Sequence, residues 1–247
     1  MPNGEAFAAD VFSSRIGSTA ARPAVVRGAV AALTAALFAA ALLAGTPASA
    51  AEPAPATLQL MLDWFPNPDH VPIYLAREAG IFRRHGLRGL EVDILVPADP
   101  NDPIKLAAAG RVDAAISYQP TVSQARAEGV PVRSIGALIE HPLNTIMTLE
   151  RSGIRSPKDL SGRRVGFSVA GFEEALLGTV LRKAGVNPAS VHLVNVNFNL
   201  TPSLLSGQVD AVIGAYKNYE SVVLEREGAR PVWFELTEYG VPDYYEL

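Results

Sequence analysis

The chain has 247 residues, 49% of them hydrophobic, and a formal net charge of −4 at neutral pH. Such a chain can bury a large core, either as one large domain or as two smaller ones. The small acidic excess gives no electrostatic reason to expect a nucleic acid or an anionic membrane as a partner.

The first fifty residues have the pattern of a secretory signal peptide. Arginines precede an Ala- and Leu-rich run over residues 29–45, and Ala48-Ser49-Ala50 matches the small-residue pattern of a cleavage site. The run is shorter than the roughly 20 residues that cross a bilayer. We therefore predict residues 1–50 as a signal peptide cleaved near Ala50/Ala51, residues 51–56 as an unstructured lead-in, and export to the periplasm as a soluble protein.

Cysteine is absent from the chain. This absence excludes disulfides, thiolate metal sites and a cysteine nucleophile, and it removes the lipid-bearing cysteine of a lipoprotein. No two of the four histidines have the spacing of a metal site, and the Gly-x-Ser-x-Gly elbow of a serine hydrolase does not occur. We therefore predict a protein without a metal, without a cofactor and without catalytic residues.

The first half of the exported chain predicts the order β-α-β-α-β. Each apolar, β-rich run is typical of a buried strand, and each predicted helix ends at a glycine. The predicted elements are a strand over residues 57–63, a helix over 72–79, a strand over 90–96, a helix over 102–110 and a strand over 112–116.

The second half repeats this order and also repeats a phrase of sequence. Its predicted elements are a strand over residues 164–167, a helix over 173–183, a strand over 191–198, a helix over 201–207 and a strand over 209–213. The phrase Gly-x-Val-Asp-Ala-x-Ile occurs at residues 110–116 and again at 207–213. Its aspartate, Asp113 or Asp210, lies at the start of a strand, so we expect it to have a structural role.

Two β-α-β-α-β units predict two similar α/β lobes, each with a mostly parallel sheet flanked by helices. Open parallel sheets bind ligands beyond the carboxyl ends of their strands. Four loops lie at such ends, over residues 63–70, 117–120, 167–174 and 214–220. Because these loops are rich in aromatic, amide and carboxylate side chains, we predict that they converge on one ligand-binding cleft.

Several stretches of the chain resemble one family. They are LDWFPNPDHVPIYLAREAGIF, GRVDAAISYQP, GFEEALLGT, VNVNF, SGQVDAVIGAYKNYE and GVPDYYEL. Together they are similar to the thiamine-precursor branch of the periplasmic solute-binding proteins, the formylaminopyrimidine-binding proteins of ABC importers. The resemblance runs from about Leu58 to the last residue.

This resemblance implies a bilobed type II periplasmic binding fold, with lobe one over residues 57–143 and lobe two over 144–243. It implies a monomer that binds N-formyl-4-amino-5-aminomethyl-2-methylpyrimidine or a close relative and delivers it to an ABC permease in the inner membrane. It also implies that residues 244–247 begin a return to lobe one. We therefore expect the C-terminal part of the fold to be missing and apolar surface of lobe one to be exposed.

Two other functions stay open. The pyrimidine synthases of fungi share the implied fold and consume pyridoxal phosphate, but they carry a lysine where this chain has Ser117 and a histidine where it has Thr121. They also carry a cysteine-rich motif near residues 241–247. Without the lysine amine no Schiff base forms. A binding protein for another flat solute, such as an aromatic sulfonate, a riboflavin-like ring or a nitrate-like anion, is the second alternative, although Lys217 is the one cation in the four loops.

The first lobe supplies five candidate ligand-binding residues. Trp64 follows a strand, where an indole is well placed to stack on a flat ring. Asn67 either donates to a ring nitrogen or holds the turn between two prolines. His70 either contacts the ligand or caps the following helix. Tyr118 and Gln119 occupy the loop after the repeated strand, and one of them is expected to face the cleft.

The second lobe supplies the remaining candidates. Asn144 lies where the chain crosses between lobes and is a hinge residue, a ligand contact or both. The small-residue loop before the helix at 173–183 suits a neutral carbonyl or formyl oxygen, or is simply a helix cap; its candidates are Ser168, Gly171, Phe172 and Glu173. Tyr216 is expected to stack on the ring opposite Trp64. The resemblance places a ligand-binding glutamate at Glu220, on the same face as Tyr216 if a helical turn begins there.

Overall fold

Two β-sheets organise the protein in the computed structural model, which describes residues 56–85 and 89–247. The predicted signal peptide and all but the last residue of the predicted lead-in lie outside the described residues. The strands of the first sheet lie within residues 56–115, and those of the second lie within residues 144–235. The lobe boundaries at residues 143/144 and 243/244 stay predictions.

The first sheet has three parallel strands in the order β2-β1-β3, with helices in the connections. Its strands are β1 (Ala56–Met61), β2 (Leu90–Leu95) and β3 (Ala114–Ala115), and its helices are α1 (Val71–Glu78), α2 (Ile81–Arg84) and α3 (Asp102–Ala108). Strand β1 starts one residue earlier than predicted. Strand β3 is shorter than the predicted strand over 112–116, because regular pairing with β1 covers two residues.

The second sheet has five strands in the order β6-β5-β7-β4-β8. These strands are β4 (Asn144–Leu149), β5 (Arg164–Phe167), β6 (His192–Asn195), β7 (Ala211–Tyr216) and β8 (Pro231–Glu235). Strand β5 is parallel to β6 and β7, as predicted, whereas β4 is antiparallel to both β7 and β8. The second sheet is therefore mixed, because β4 is antiparallel to both of its neighbours. The sequence did not predict β8.

Four further helices complete the fold: α4 (Gln119–Ala127), α5 (Phe172–Lys183), α6 (Leu200–Ser206) and α7 (Glu220–Arg226). Strand β6 ends at Asn195, earlier than the predicted residue 198. The cause is a local turn in which the Asn195 Oδ1 atom accepts a hydrogen bond from the backbone N–H of Asn197 at 2.9 Å. Asn197 itself has a left-handed backbone with φ of 47°, which interrupts the strand.

The central strands of the second sheet are buried on both faces. In β4, Ile146 and Met147 are fully buried and point to opposite faces, where they belong to two different hydrophobic clusters. Val212 and Ile213 divide in the same way in β7. This arrangement explains why the sequence of these strands is continuously apolar rather than alternating.

The repeated aspartates have the structural role predicted for them. The backbone N–H of Gln59 donates to Asp113 Oδ2 at 2.8 Å, and the Asp113 N–H donates to the Gln59 carbonyl at 3.1 Å. The second copy has the same pair of bonds between Arg164 and Asp210, at 2.9 and 2.8 Å. Each aspartate thus ties the start of one strand, β3 or β7, to the neighbouring parallel strand, β1 or β5.

Candidate functional site

The four predicted loops meet at one cleft beyond the carboxyl ends of β1 and β7. The space among its lining residues is about 330 Å³, a figure that includes the part open to solvent. Its lining residues are Asp63, Trp64, Asn67, Tyr118, Asn144, Glu173, Gly214, Tyr216, Tyr219 and Glu220. Seven of the twelve candidates are among them; Asp63, Gly214 and Tyr219 were not predicted.

Aromatic rings form much of the cleft surface. Trp64 and Tyr216 are both buried and come from the two halves of the chain. The Trp64 ring is held by an edge contact with Phe198, at a centroid distance of 4.7 Å. Tyr118 is supported by Phe172, whose ring stacks on it at a centroid distance of 5.1 Å and an interplanar angle of 15°. Phe172 therefore positions a lining residue and does not itself line the cleft.

Glu220 is buried and folds back over the end of β7. Its Oε2 atom accepts a hydrogen bond from the Tyr216 backbone N–H at 2.7 Å. Residues 217–219 form a turn in which the Tyr219 N–H donates to the Tyr216 carbonyl at 3.2 Å, and α7 begins at Glu220. Tyr216 and Glu220 therefore do not share a helix, although both side chains reach the cleft. Burial raises the pKa of Glu220 to about 8, against the lowering effect of that N–H donor. Near neutral pH this carboxyl group therefore holds a proton.

A buried hydrogen-bonded group of Asp63, His70 and Tyr118 lies at the base of the cleft. His70 Nε2 is 2.8 Å from Asp63 Oδ1, and the Tyr118 hydroxyl donates to Asp63 Oδ2 at 3.2 Å. The Asn67 backbone N–H donates to His70 Nδ1 at 3.3 Å, so Nε2 carries the proton that His70 shares with Asp63. His70 is thus placed behind the cleft lining, where it orients Asp63.

Glu246 is a second buried carboxyl group beside the cleft that the sequence did not predict. Its Oε2 atom accepts from the backbone N–H groups of Leu143 and Asn144 at 2.7 and 2.9 Å. The Tyr216 hydroxyl donates to Oε1 at 3.4 Å, and the Tyr244 hydroxyl donates to Oε2 at 3.2 Å. Burial raises the pKa of Glu246 to about 7. These partners lie up to 103 residues away in the sequence, so no local pattern could have identified the contact.

Asn144 begins β4 and is almost fully buried at the floor of the cleft. Its Oδ1 atom accepts from the Gly214 backbone N–H at 2.9 Å. Gln119, which was predicted beside Tyr118, instead uses its Oε1 atom to accept from the Tyr245 N–H at 2.8 Å. Of the two neighbouring residues, Tyr118 is therefore the one that faces the cleft.

The loop between β5 and α5 has its polar groups committed within the protein. The Ser168 backbone N–H donates to Glu173 Oε2 at 2.7 Å, and the Ser168 hydroxyl donates to the Asn197 carbonyl. The Gly171 N–H donates to Glu174. Ser168 and Gly171 are therefore absent from the cleft lining, whereas Glu173 reaches it. Burial raises the pKa of Glu173 to about 8.

Carboxyl groups, and not cations, are the ionisable groups of the cleft lining. Its lining, as described, contains Asp63, Glu173 and Glu220 but no lysine or arginine. Lys217 does not enter the lining and pairs with Glu235 at 3.0 Å.

Over residues 56–85 and 89–247, no group of His, Cys, Asp and Glu side chains is arranged to hold a metal ion. In the same ranges no helix is long and apolar enough to cross a membrane.

Substituting Gly214 with alanine tests how closely Glu173 approaches β7. A Cβ atom at Gly214 would lie 2.3 Å from Glu173 Oε1, and the backbone φ is 98°. We expect Gly214→Ala to displace Glu173, lower the melting temperature by several degrees and weaken ligand binding. Gly207→Ala is the matched control, since Gly207 also has a positive φ of 73° but no atom within 4 Å of the added carbon. Equal melting temperatures of the two variants would contradict the contact.

The fold is that of the type II periplasmic binding proteins. The alkanesulfonate-binding protein SsuA of Xanthomonas axonopodis pv. citri superposes with a TM-score of 0.60 at 19% identity, over 79% of this chain and 65% of its own. The family model described as NMT1/THI5 like matches residues 67–247. The chain belongs to the NMT1/THI5-like family.

Two bacterial relatives connect this family to thiamine. A Haemophilus influenzae protein named for thiamine biosynthesis is 50% identical over 77% of this chain and 60% of its own length. The formylaminopyrimidine-binding protein of Halalkalibacterium halodurans is 43% identical over 77% of this chain and 57% of its own. A 4-amino-5-hydroxymethyl-2-methylpyrimidine phosphate synthase of Legionella pneumophila is 31% identical over 72% of this chain and 55% of its own length. The chain spans about 60% of the length of the first two relatives.

Proposed function

We propose that this protein is the substrate-binding component of an ABC importer and captures an aminopyrimidine precursor of thiamine. The observation that carries the proposal is the cleft in which Trp64, Tyr216 and the buried carboxyl group of Glu220 meet. Aromatic side chains stack on the faces of a flat ring, and a carboxyl group matches the adjacent N–H donor and ring nitrogen of a 4-aminopyrimidine. The formylaminopyrimidine-binding relative supports the choice of ligand.

The proposal includes how the ligand is held and delivered. The two lobes, over residues 57–143 and 144–243, close over the ring as a monomer. Asn67 and Asn144 are the amide side chains of the lining that donate to ring or formyl atoms. The loaded protein, exported to the periplasm after removal of residues 1–50, then delivers the ligand to a permease in the inner membrane.

Binding rather than catalysis fits the residues around the cleft. The chain is 43% identical to a relative named as a binding protein and 31% identical to one named as a pyrimidine phosphate synthase. Ser117 stands where the resemblance to the fungal synthases would require a lysine, and a serine forms no Schiff base with pyridoxal phosphate. A binder of sulfonates or of other anions would need cations, and none lies among the described lining residues.

The identity of the ligand is tested by what co-purifies with the protein. We expect mass spectrometry of the denatured protein to release a 4-amino-2-methylpyrimidine, and calorimetric titration to show one site per chain. An absorbance spectrum of bound pyridoxal phosphate would instead support the synthase. A sulfonate that binds more tightly than the aminopyrimidine would favour the other class of binding protein.

Removing either aromatic ring tests the stacking arrangement. We expect Trp64→Ala and Tyr216→Ala each to weaken aminopyrimidine binding by about tenfold or more, which corresponds to about 1.4 kcal/mol. Trp233→Ala is the matched control because Trp233 is 40% exposed on β8 and is not among the lining residues. Unchanged affinity in both cleft variants, measured by calorimetry, would rule out stacking between the two rings.

A further inference from the structure

The loop over residues 168–171 is built like an anion-binding loop. It is a turn of small residues that leads into the N-terminus of the 12-residue helix α5. Backbone N–H groups in such a turn, together with the positive end of the helix dipole, attract phosphate groups in many proteins. A phosphorylated pyrimidine entering the neighbouring cleft would therefore meet a surface suited to its phosphate if these N–H groups were free.

Side chains of this protein already occupy those N–H groups. The Ser168 N–H donates to Glu173 Oε2 at 2.7 Å, and the Ala170 N–H donates to Asn101 Oδ1 at 2.9 Å. The Gly171 N–H donates to Glu174 Oε2. Three side-chain oxygens thus stand where the oxygens of a phosphate would bind.

Glu173 is the occupant that also faces the cleft. It is 3% exposed and lines the cleft between the loop and β7. Its Oε1 atom lies against Gly214, so that a side chain at position 214 would have to displace it. Burial raises the pKa of this carboxyl group to about 8, and the Oε2 atom can accept from Ser168 in either protonation state. An incoming phosphate would have to displace a buried side chain.

The ionisable groups around the cleft act in the same direction, because none of those described offers a phosphate a positive charge. Asp63 and Glu220 line the same cleft, and Asp69 and Glu246 are buried beside it. The described lining contains no lysine or arginine that would compensate a phosphate. A dianion in the cleft would therefore be placed among carboxyl groups without a cation, which is unfavourable in a desolvated site.

We propose that Glu173 is a specificity-determining residue that excludes phosphorylated ligands, because its own carboxyl group occupies the amide that a phosphate would bind. This inference rests on the proposed function and narrows its substrate class to unphosphorylated aminopyrimidines. Specificity of this kind comes from an element that acts against the wrong ligand rather than from an added contact to the right one.

The first test compares two probes on the unaltered protein. We expect 4-amino-5-hydroxymethyl-2-methylpyrimidine to bind at least about a hundredfold more tightly than its phosphate monoester in calorimetric titration. Equal affinities for the two probes would overturn the proposal without any variant being made. If neither probe binds, the proposed function fails, and inorganic phosphate then tests Glu173 separately.

The second test separates the occupying side chain from its charge. Glu173→Gln keeps an oxygen that accepts from Ser168, whereas Glu173→Ala frees that N–H group. We expect the alanine variant alone to gain about tenfold or more in affinity for the phosphate monoester relative to the alcohol, and alone to be stabilised thermally by inorganic phosphate. Equal gains in both variants would show that charge, not occupancy of the amide, is responsible. No gain in a folded alanine variant would also contradict the proposal.

Discussion

Glu220→Gln is expected to weaken aminopyrimidine binding by about ten- to a hundredfold. The glutamine keeps the hydrogen bond from the Tyr216 N–H, which Glu220 accepts at 2.7 Å, so the local fold is preserved. What it loses is the transferable proton, which lets a carboxyl group pair with a 4-aminopyrimidine either as an acid with the neutral ring or as a carboxylate with the protonated ring. Hydrogen bonds to charged groups contribute roughly 1.5–3 kcal/mol, against about 1 kcal/mol for neutral pairs.

The same substitution should change the pH dependence of binding. The pKa of Glu220 is raised to about 8 in the ligand-free protein, so its proton is present below that pH and is lost above it. Because the complex retains the shared proton, affinity falls as pH rises beyond about 8, by up to about tenfold per pH unit. Glu173 and Glu246 titrate in a similar range, but both remain in the variant. The variant therefore loses only the part of the pH dependence that is due to Glu220.

Calorimetric titration of three proteins at pH 6.5 and 9 measures both effects. Glu225→Gln is the control, because Glu225 is an exposed residue on the same helix, α7, and is not among the lining residues. It should bind as the unaltered protein does at both pH values. Equal affinities of Glu220→Gln and the unaltered protein would show that Glu220 does not contact the ligand.

Asp63→Ala is expected to destabilise the fold by about 3–5 kcal/mol. The substitution removes the acceptor of two buried donors, His70 Nε2 at 2.8 Å and the Tyr118 hydroxyl at 3.2 Å. His70 is 0% exposed and Asp63 is 2% exposed, so water does not replace the lost acceptor. Each buried donor left unpaired costs about 1–3 kcal/mol, and removal of one partner of a buried pair costs about 3–5 kcal/mol. The melting temperature should fall by roughly 10 °C.

The chain contains a matched control for this prediction. His141 and Asp243 form a second His–Asp pair of almost the same length, 2.9 Å, but their side chains are 78% and 60% exposed. Asp243→Ala should therefore change the melting temperature little, because solvent replaces the lost contact. Thermal unfolding followed by circular dichroism compares the two variants. Similar decreases in melting temperature in both variants would show that burial of the Asp63–His70 pair does not determine how much it contributes to stability.

The sequence alone identified the order of most strands and helices. Their signals are local: an apolar run of the right length, a proline at a helix start, or a glycine at a helix end. It also identified the loops of the cleft, because the carboxyl ends of parallel strands share one edge of a sheet. Trp64, Tyr118, Tyr216 and Glu220 lie in those loops, and the structure brings all four into the cleft lining.

The tertiary structure decided which polar atoms are free to meet a ligand. His70 and Ser168 belong to predicted loops, but their polar atoms are bound within the protein. Conversely, Glu246 reaches the cleft region through bonds to Leu143 and Asn144, more than a hundred positions earlier in the chain.

Local patterns thus determined the elements of this protein and the loops that form its cleft, because helix caps and strand periodicity involve residues close together in the chain. Three other features depend on packing between distant segments. They are the antiparallel placement of β4, the hydrogen-bonded pair of Asp63 and His70 at the base of the cleft, and the hydrogen bonds from the loop N–H groups to Glu173 and Asn101. Burial makes each of these polar contacts obligatory, since an unpaired polar group loses its water on folding. Burial is a property of the folded chain, and no short stretch of sequence specifies it.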